Sequence, residues 1–347
     1  MFFASDNSGP VHPKVMAALA KANEGYALPY GNDDWTRRAV SAIRTTFEAP
    51  GAEVFLLTLG TAANSLALSA MAQPWDAIFC HDLAHIEEDE CNAPEFYTGG
   101  AKLALVGGAD AKIDPDALAR RIEAAGSSVH GAQRGAVSIT QVTERGTVYT
   151  LDELRSLIAI AKRFGCGVHM DGARFANAVA ATGSTPAELS WRLGIDALSF
   201  GGTKNGLMGV EALVVFDPAH AARLALRRKR AAQLMSKHRY LAAQMVAYLE
   251  DDLWLEMAAS ANAAAQKFAH GLRAIADVEL MHPVDANMIF AKWPGSTHLK
   301  LQQAGAQYYQ LADGAEHERL PARLVCDWSA STENTELFLE LLTQSEH

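Results

Sequence analysis

Gly167-Val168-His169-Met170-Asp171-Gly172-Ala173-Arg174 is a short apolar run closed by an acid, a glycine and an arginine. Its first five residues predict a buried strand, 167–171. Before it, 136–142 reads as a strand and 152–164 as a helix; after it come strands at 197–200 and 210–216. Strands alternating with helices of about 10–15 residues predict a three-layer α/β domain on a mostly parallel sheet. In such a sheet ligands bind at the carboxyl ends of the strands. Asp171, and whatever follows the other strands, are therefore the first places to look for chemistry.

The alternation continues toward the N-terminus. Helices are expected at 13–24, with Pro13 near its start, and at 35–48, ended by Pro50 and Gly51. Strands follow at 53–58, 77–80 and 102–106, with an apolar helix at 64–72 and another from Asp114-Pro115 to about 125. Residues 220–273 are rich in alanine and predict a nearly continuous helix. It leads into a smaller C-terminal α+β domain with strands at 278–281, 288–292 and 324–328 and a last helix from Glu333. The expected division is near residue 245, into 1–245 with its N-terminal arm and 246–347.

Composition narrows the function classes. The 347 residues are 49 % apolar and 20 % charged, enough for a substantial core. Thirty Lys+Arg against 40 Asp+Glu give a charge of −10, which argues against general nucleic-acid binding. The cluster Arg223, Arg227, Arg228, Lys229 and Arg230 reads as a solvated helix face near a subunit contact. No apolar stretch approaches a membrane span, and the start lacks a secretory signal. Cys80, Cys91, Cys166 and Cys326 are too few and scattered for a disulfide framework, so a cytoplasmic location is expected.

Four places follow predicted strands. Leu59-Gly60-Thr61-Ala62-Ala63-Asn64 is either an ordinary turn into a helix or a cradle of free N–H groups for a phosphate. Asp171 either pairs with Arg174 or caps a helix, or it meets a cation or donor from elsewhere. Lys204, in Gly201-Gly202-Thr203-Lys204-Asn205-Gly206, is either a solvent-facing loop residue or an amine able to form a Schiff base. The run from Cys80 to Cys91 carries His81, His85 and Asp89; it matches no paired metal-ligand spacing and reads better as an acidic loop with one functional His.

Taken in order, these segments resemble threonine aldolases of the aspartate-aminotransferase-like, pyridoxal-phosphate-dependent superfamily (fold type I). The resemblance also rests on Ala4-Ser5-Asp6-Asn7, Tyr30-Gly31-Asn32-Asp33-Asp34-Trp35-Thr36, Ala84-His85 and Ala322-Arg323-Leu324-Val325, and covers nearly the whole chain. The run from Glu90 to Phe96 is similar to the low-specificity L-threonine aldolase and phenylserine aldolase branch. The resemblance implies pyridoxal 5'-phosphate as cofactor and L-β-hydroxy-α-amino acids as substrates. Lys204 would hold the cofactor, Asp171 would pair with its ring nitrogen, and Gly60, Thr61 and Ala62 would bind its phosphate. Thr203 would join them, and His85 would stack on the ring and act on the β-hydroxyl. Ser5, Arg174 and Arg323 would grip the substrate carboxylate. The resemblance further implies a homodimer or homotetramer with no metal, with Tyr30, and Lys237 in preference to Arg239, reaching a neighbouring subunit's site. One departure stands out: family members often carry a second His in the region of 140–144, where this chain offers Glu144. Another β-eliminating lyase, an aminotransferase, or a zinc hydrolase using His81 and His85 are the alternatives.

Overall fold

The computed structural model describes residues 1–343. Seven strands form the main sheet: β1 (Glu53–Leu57), β2 (Asp76–His81), β3 (Lys102–Val106), β4 (Gln133–Thr140), β5 (Gly167–Gly172), β6 (Ala197–Gly201) and β7 (Glu211–Val215). Their order is β1-β7-β6-β5-β4-β2-β3. β7 runs antiparallel to both β1 and β6, while the other pairings are parallel. The two reversals cancel, so β1 points the same way as β6 and the sheet is mostly parallel, as its sequence pattern implies. β2, β6 and β7 are buried along their whole length, as strands covered on both faces must be.

One face packs Phe47, Phe175, Phe200, Tyr248 and Trp254 against the sheet. The other carries the helix Gly60–Met71, in which every residue from Ala62 to Ser69 is buried. Its alanines let it lie close to the strands, and its N-terminus opens onto their carboxyl edge.

A second sheet holds β8 (Glu279–Leu280), β9 (Met288–Pro294), β10 (Tyr309–Gln310) and β11 (Arg319–Val325), antiparallel in the order β10-β11-β9-β8. Phe268, Trp293 and Phe338 fill its core together with Phe3 from the N-terminal arm. Phe3 N donates to Gln307 O at 2.7 Å and Phe3 O accepts from Val325 N at 2.8 Å. These bonds carry Ser5, Asp6 and Asn7 across to the main sheet.

The expected long helix over 220–273 is broken into Pro218–Ala221, Leu224–Arg230, Arg239–Leu249 and Leu253–Arg273. Tertiary bonds replace helical ones at the main break: Gln233 Oε1 accepts from Thr58 Oγ1 at 2.8 Å, and Ser236 O accepts from Tyr30 N at 2.9 Å. Asp251 and Asp252 turn left-handed at the break before Leu253, with φ of 53° and 55°. The helix Gly295–Gln303 and strand β10 had no counterpart in the sequence reading, and the helix expected from Asn64 starts at Gly60. No helix of the described residues is long and apolar enough to cross a membrane.

Candidate active site

Four strand ends converge on one cleft of about 220 Å3, lined by Gly60, Thr61, His85, Asp171, Thr203 and Lys204 together with Asn7, Asn64, Glu90 and Glu211. The turn after β1 delivers Gly60, the turn after β2 delivers His85, Asp171 lies near the end of β5, and Lys204 follows β6. Leu59 precedes the helix Gly60–Met71 in an extended conformation and gives it no side-chain cap. The first N–H groups of that helix are thus open to an anion, at the positive end of the helix dipole. A Cβ built on Gly60 would meet nothing within 4 Å, so its missing side chain leaves free space above those groups. Ala62 is buried in the same first turn and offers its backbone alone.

Asp171 is 3 % exposed. Its Oδ1 accepts from Ala173 N at 3.0 Å and its Oδ2 from Asn64 Nδ2 at 2.9 Å. The alternative pairing with Arg174 is not formed, because Arg174 is committed elsewhere. On the strand before it, His169 lies between Ser138 Oγ (2.9 Å) and Ser199 Oγ (3.1 Å). Complete burial pulls its pKa down to about 4, so it is neutral and braces the strand.

The loop that holds Lys204 is pinned independently of the lysine. Asn205 Nδ2 donates to Tyr248 Oη at 2.9 Å and to Trp254 O at 2.8 Å, and Tyr248 Oη donates to Gly201 O at 3.2 Å. A Cβ on Gly201 would stand 2.2 Å from Ala173 O, so only glycine lets the two loops pass.

Glu211 escaped the sequence reading. Because β7 is antiparallel, its first residue lies at the edge where its neighbours end, opposite Leu57 on one side and Gly201 on the other. The carboxylate accepts from Gly202 N at 3.0 Å and Thr203 N at 3.4 Å, holding the lysine loop. An acid opening an otherwise apolar strand was the available signal. Burial raises its pKa from 4.5 to about 7, against the pull of its donors and of Lys204. A raised carboxyl contributes stability that is full below the unfolded pKa and is lost as pH rises through the folded one, at about 1.4 kcal/mol per unit. Glu211→Gln is therefore expected to flatten the fall in thermal midpoint between about pH 5 and 7. An unchanged slope in calorimetry would count against this assignment.

Arg174 is buried and bound bidentately to Asp6, Nε to Oδ2 at 2.7 Å and Nη2 to Oδ1 at 3.0 Å. Asn287 Nδ2 also donates to Asp6 Oδ2, at 3.2 Å. Burial pushes the Asp6 carboxyl up, but the charges of Arg174 and Lys204 outweigh it and hold it low. Arg174 thus spends its Nε edge on an internal acid and keeps its remaining N–H groups for another ligand. Arg323 lies with its guanidinium 4.6 Å over the Tyr309 ring, donates to Ala4 O at 3.4 Å, and has a buried Nε with no partner. Burial, and then repulsion from Arg174, lower its pKa. Two such cations facing one region favour an anion between them. Ser5 sits beside them, its Oγ accepting from Asn7 N at 3.1 Å.

Tyr30 and Lys237 are exposed and do not line the cleft within a single chain; Lys229 Nζ lies 5.1 Å over the Tyr30 ring. Arg239 donates to Gly25 O at 3.1 Å, on the outer surface. His81 and His85 are held by different partners. His81 uses both ring nitrogens on backbone, Nδ1 on Leu83 N and Nε2 on Gly108 O, whereas His85 Nδ1 meets Glu90 Oε1 at 2.9 Å. Glu144 is near enough to act electrostatically on His85, Arg174 and Arg323.

The donor set fits a phosphorylated, aldehyde-bearing aromatic cofactor. It offers an uncapped helix N-terminus, an amine in a rigid loop, a buried carboxylate without a cation of its own, and an imidazole at the cleft wall. Asn64 Oδ1 is buried there without a partner, which leaves polar capacity for a ligand.

A model of the beta-eliminating lyase family matches residues 3–293. The chain is 43 % identical to a low specificity L-threonine aldolase from a Pseudomonas species, over 94 % of this chain and 92 % of that one. It is 42 % identical to a low specificity L-threonine aldolase of Pseudomonas aeruginosa, over 95 % and 94 %. A solved threonine aldolase from Leishmania major superposes with a TM-score of 0.94 at 28 % identity, covering 99 % of both chains.

Proposed function

The chain belongs to the beta-eliminating lyase family, and on that premise we propose that it is a pyridoxal-5'-phosphate-dependent aldolase. Its substrates are L-threonine, L-allo-threonine and related L-β-hydroxy-α-amino acids such as phenylserine, cleaved to glycine and an aldehyde. The observation that carries this reading is the meeting of Lys204, Asp171, His85 and the open end of the helix Gly60–Met71 in one cleft. Arg174 and Arg323 act on each other and on Asp6, which also feels Lys204.

When bound, pyridoxal phosphate supplies an electron sink for the pair left on Cα as the Cα–Cβ bond breaks. The chain does the rest. The N–H groups of Gly60, Thr61 and Ala62 would hold the phosphate, with Thr203 beside them in the cleft. Lys204 would provide the amine that holds the cofactor. Asp171, buried and not bonded to Arg174, would keep the ring nitrogen protonated. Ser5, Arg174 and Arg323 orient the substrate through its carboxylate. His85 Nε2 takes the β-hydroxyl proton, with Glu144 close enough to stabilise the resulting charge.

Tyr30 and Lys237 complete the neighbouring site in a homodimer or homotetramer; their exposure and distance from their own cleft support this. A division into a cofactor-binding part, 1–245, and a smaller part, 246–347, is supported by the separate sheet whose strands all follow residue 245. Incubation with L-threonine, L-allo-threonine and phenylserine is the test, with aldehyde and glycine as the expected products. Keto-acid formation instead would assign the site to amino transfer.

A further inference from the structure

A line of polar side chains runs beneath the cleft. His85 Nδ1 and Asn64 Nδ2 each lie 2.9 Å from the same oxygen, Glu90 Oε1. Asn64 Nδ2 also lies 2.9 Å from Asp171 Oδ2. The Glu90 side chain is 0 % exposed. It hangs from the turn between the short helices His85–Glu88 and Ala93–Thr98, and its Oε2 is buried without a partner.

The chemistry of this line is directional. An amide –NH2 only donates, so Glu90 Oε1 accepts from Asn64. With Oε1 accepting from His85 as well, the neutral imidazole carries its proton on Nδ1. Its lone pair is then on Nε2, the nitrogen left for whatever occupies the cleft. An ionised carboxylate behind an imidazole also stabilises the cation formed when that imidazole takes a proton. Asn64 spends both amide hydrogens on the two acids, and so answers part of the charge of each.

We propose that Glu90 is a positioning residue that locks His85 in the Nδ1–H tautomer and stabilises its protonated form, and that Asn64 ties this pair to Asp171. The proton-accepting and ring-protonating parts of the site are thereby one hydrogen-bonded unit. The link between this unit and turnover rests on the aldolase reading; the unit itself does not.

The groups facing His85 agree with this. The hydrogen bond that His85 gives to Glu90 raises its pKa most; burial lowers it, Asp171 and Glu144 raise it, and Lys204 lowers it. Removing the charge of Glu90 while keeping its acceptor oxygen isolates the effect.

The test is a histidine 15N NMR titration of the purified enzyme, with its cofactor and after cofactor removal, His85→Asn identifying the resonance. In the unsubstituted protein His85 is expected as the Nδ1–H tautomer. In Glu90→Gln its proton affinity is expected to fall about tenfold or more, one pKa unit, and the acid limb of the kcat–pH profile to move by the same amount. Glu90→Asp is expected to retain most of the proton affinity. An Nε2–H tautomer in the unsubstituted protein, readable even if the variants do not fold, would overturn the proposal. So would an identical His85 titration in Glu90→Gln. A protein that fails to cleave L-threonine yet shows the titration shift would reject the aldolase reading alone.

Discussion

Lys204→Ala is expected to lower turnover of L-threonine by about 10^4-fold or more, as loss of a covalent-catalysis group commonly does. The same variant is expected to lose the cofactor on gel filtration and to show no yellow colour after dialysis. Its fold should survive. The loop is held by Asn205, Tyr248, Glu211 and the close passage of Gly201 against Ala173, none of which involves the lysine side chain. A thermal midpoint near that of the unsubstituted protein, together with lost turnover, separates chemistry from folding. Cleavage at the normal rate would remove Lys204 from the mechanism.

Asp171→Asn is expected to cost about 10^2–10^3-fold in kcat, the scale of removing one preorganised electrostatic contact. Ala173 N can still donate to the remaining oxygen, so the strand end keeps one of its bonds. The substituted amide, however, turns a donor toward Asn64 Nδ2, which now donates to Asp171 Oδ2. The negative charge that keeps a ring nitrogen protonated is lost, and cofactor affinity is expected to fall with it. Steady-state kinetics at saturating pyridoxal phosphate separate the two effects. A kcat within a few-fold of normal would show that this carboxylate does not face the ring nitrogen.

Much of the site is legible in sequence because of one topological rule. Gly60, His85, Asp171 and Lys204 each follow or end a buried apolar run, and parallel strands bring such positions to one edge. Glu211 breaks that rule. It begins its strand, and only the antiparallel setting of β7 puts its first residue at the same edge, a direction that strand composition does not encode. Asp6 was hidden for a different reason. It lies 168 residues before its partner Arg174, and an arm that bonds to Gln307 and Val325 brings the two together. The main break in 220–273 was likewise set by distant partners, Thr58 and Tyr30, that override the helical propensity of an alanine-rich segment. His85 and Glu90 were within five residues of each other in sequence. Their pairing needed the turn that folds one acid inward while Glu87, Glu88 and Asp89 remain outside.

The central claim is that Lys204 carries pyridoxal phosphate in a cleft built for it. Borohydride reduction of the protein loaded with pyridoxal phosphate, followed by peptide mapping, tests it most directly. The account predicts a single phosphopyridoxyl label on the peptide containing Lys204, with the yellow colour bleached in proportion. A label on another lysine, or none, would contradict it.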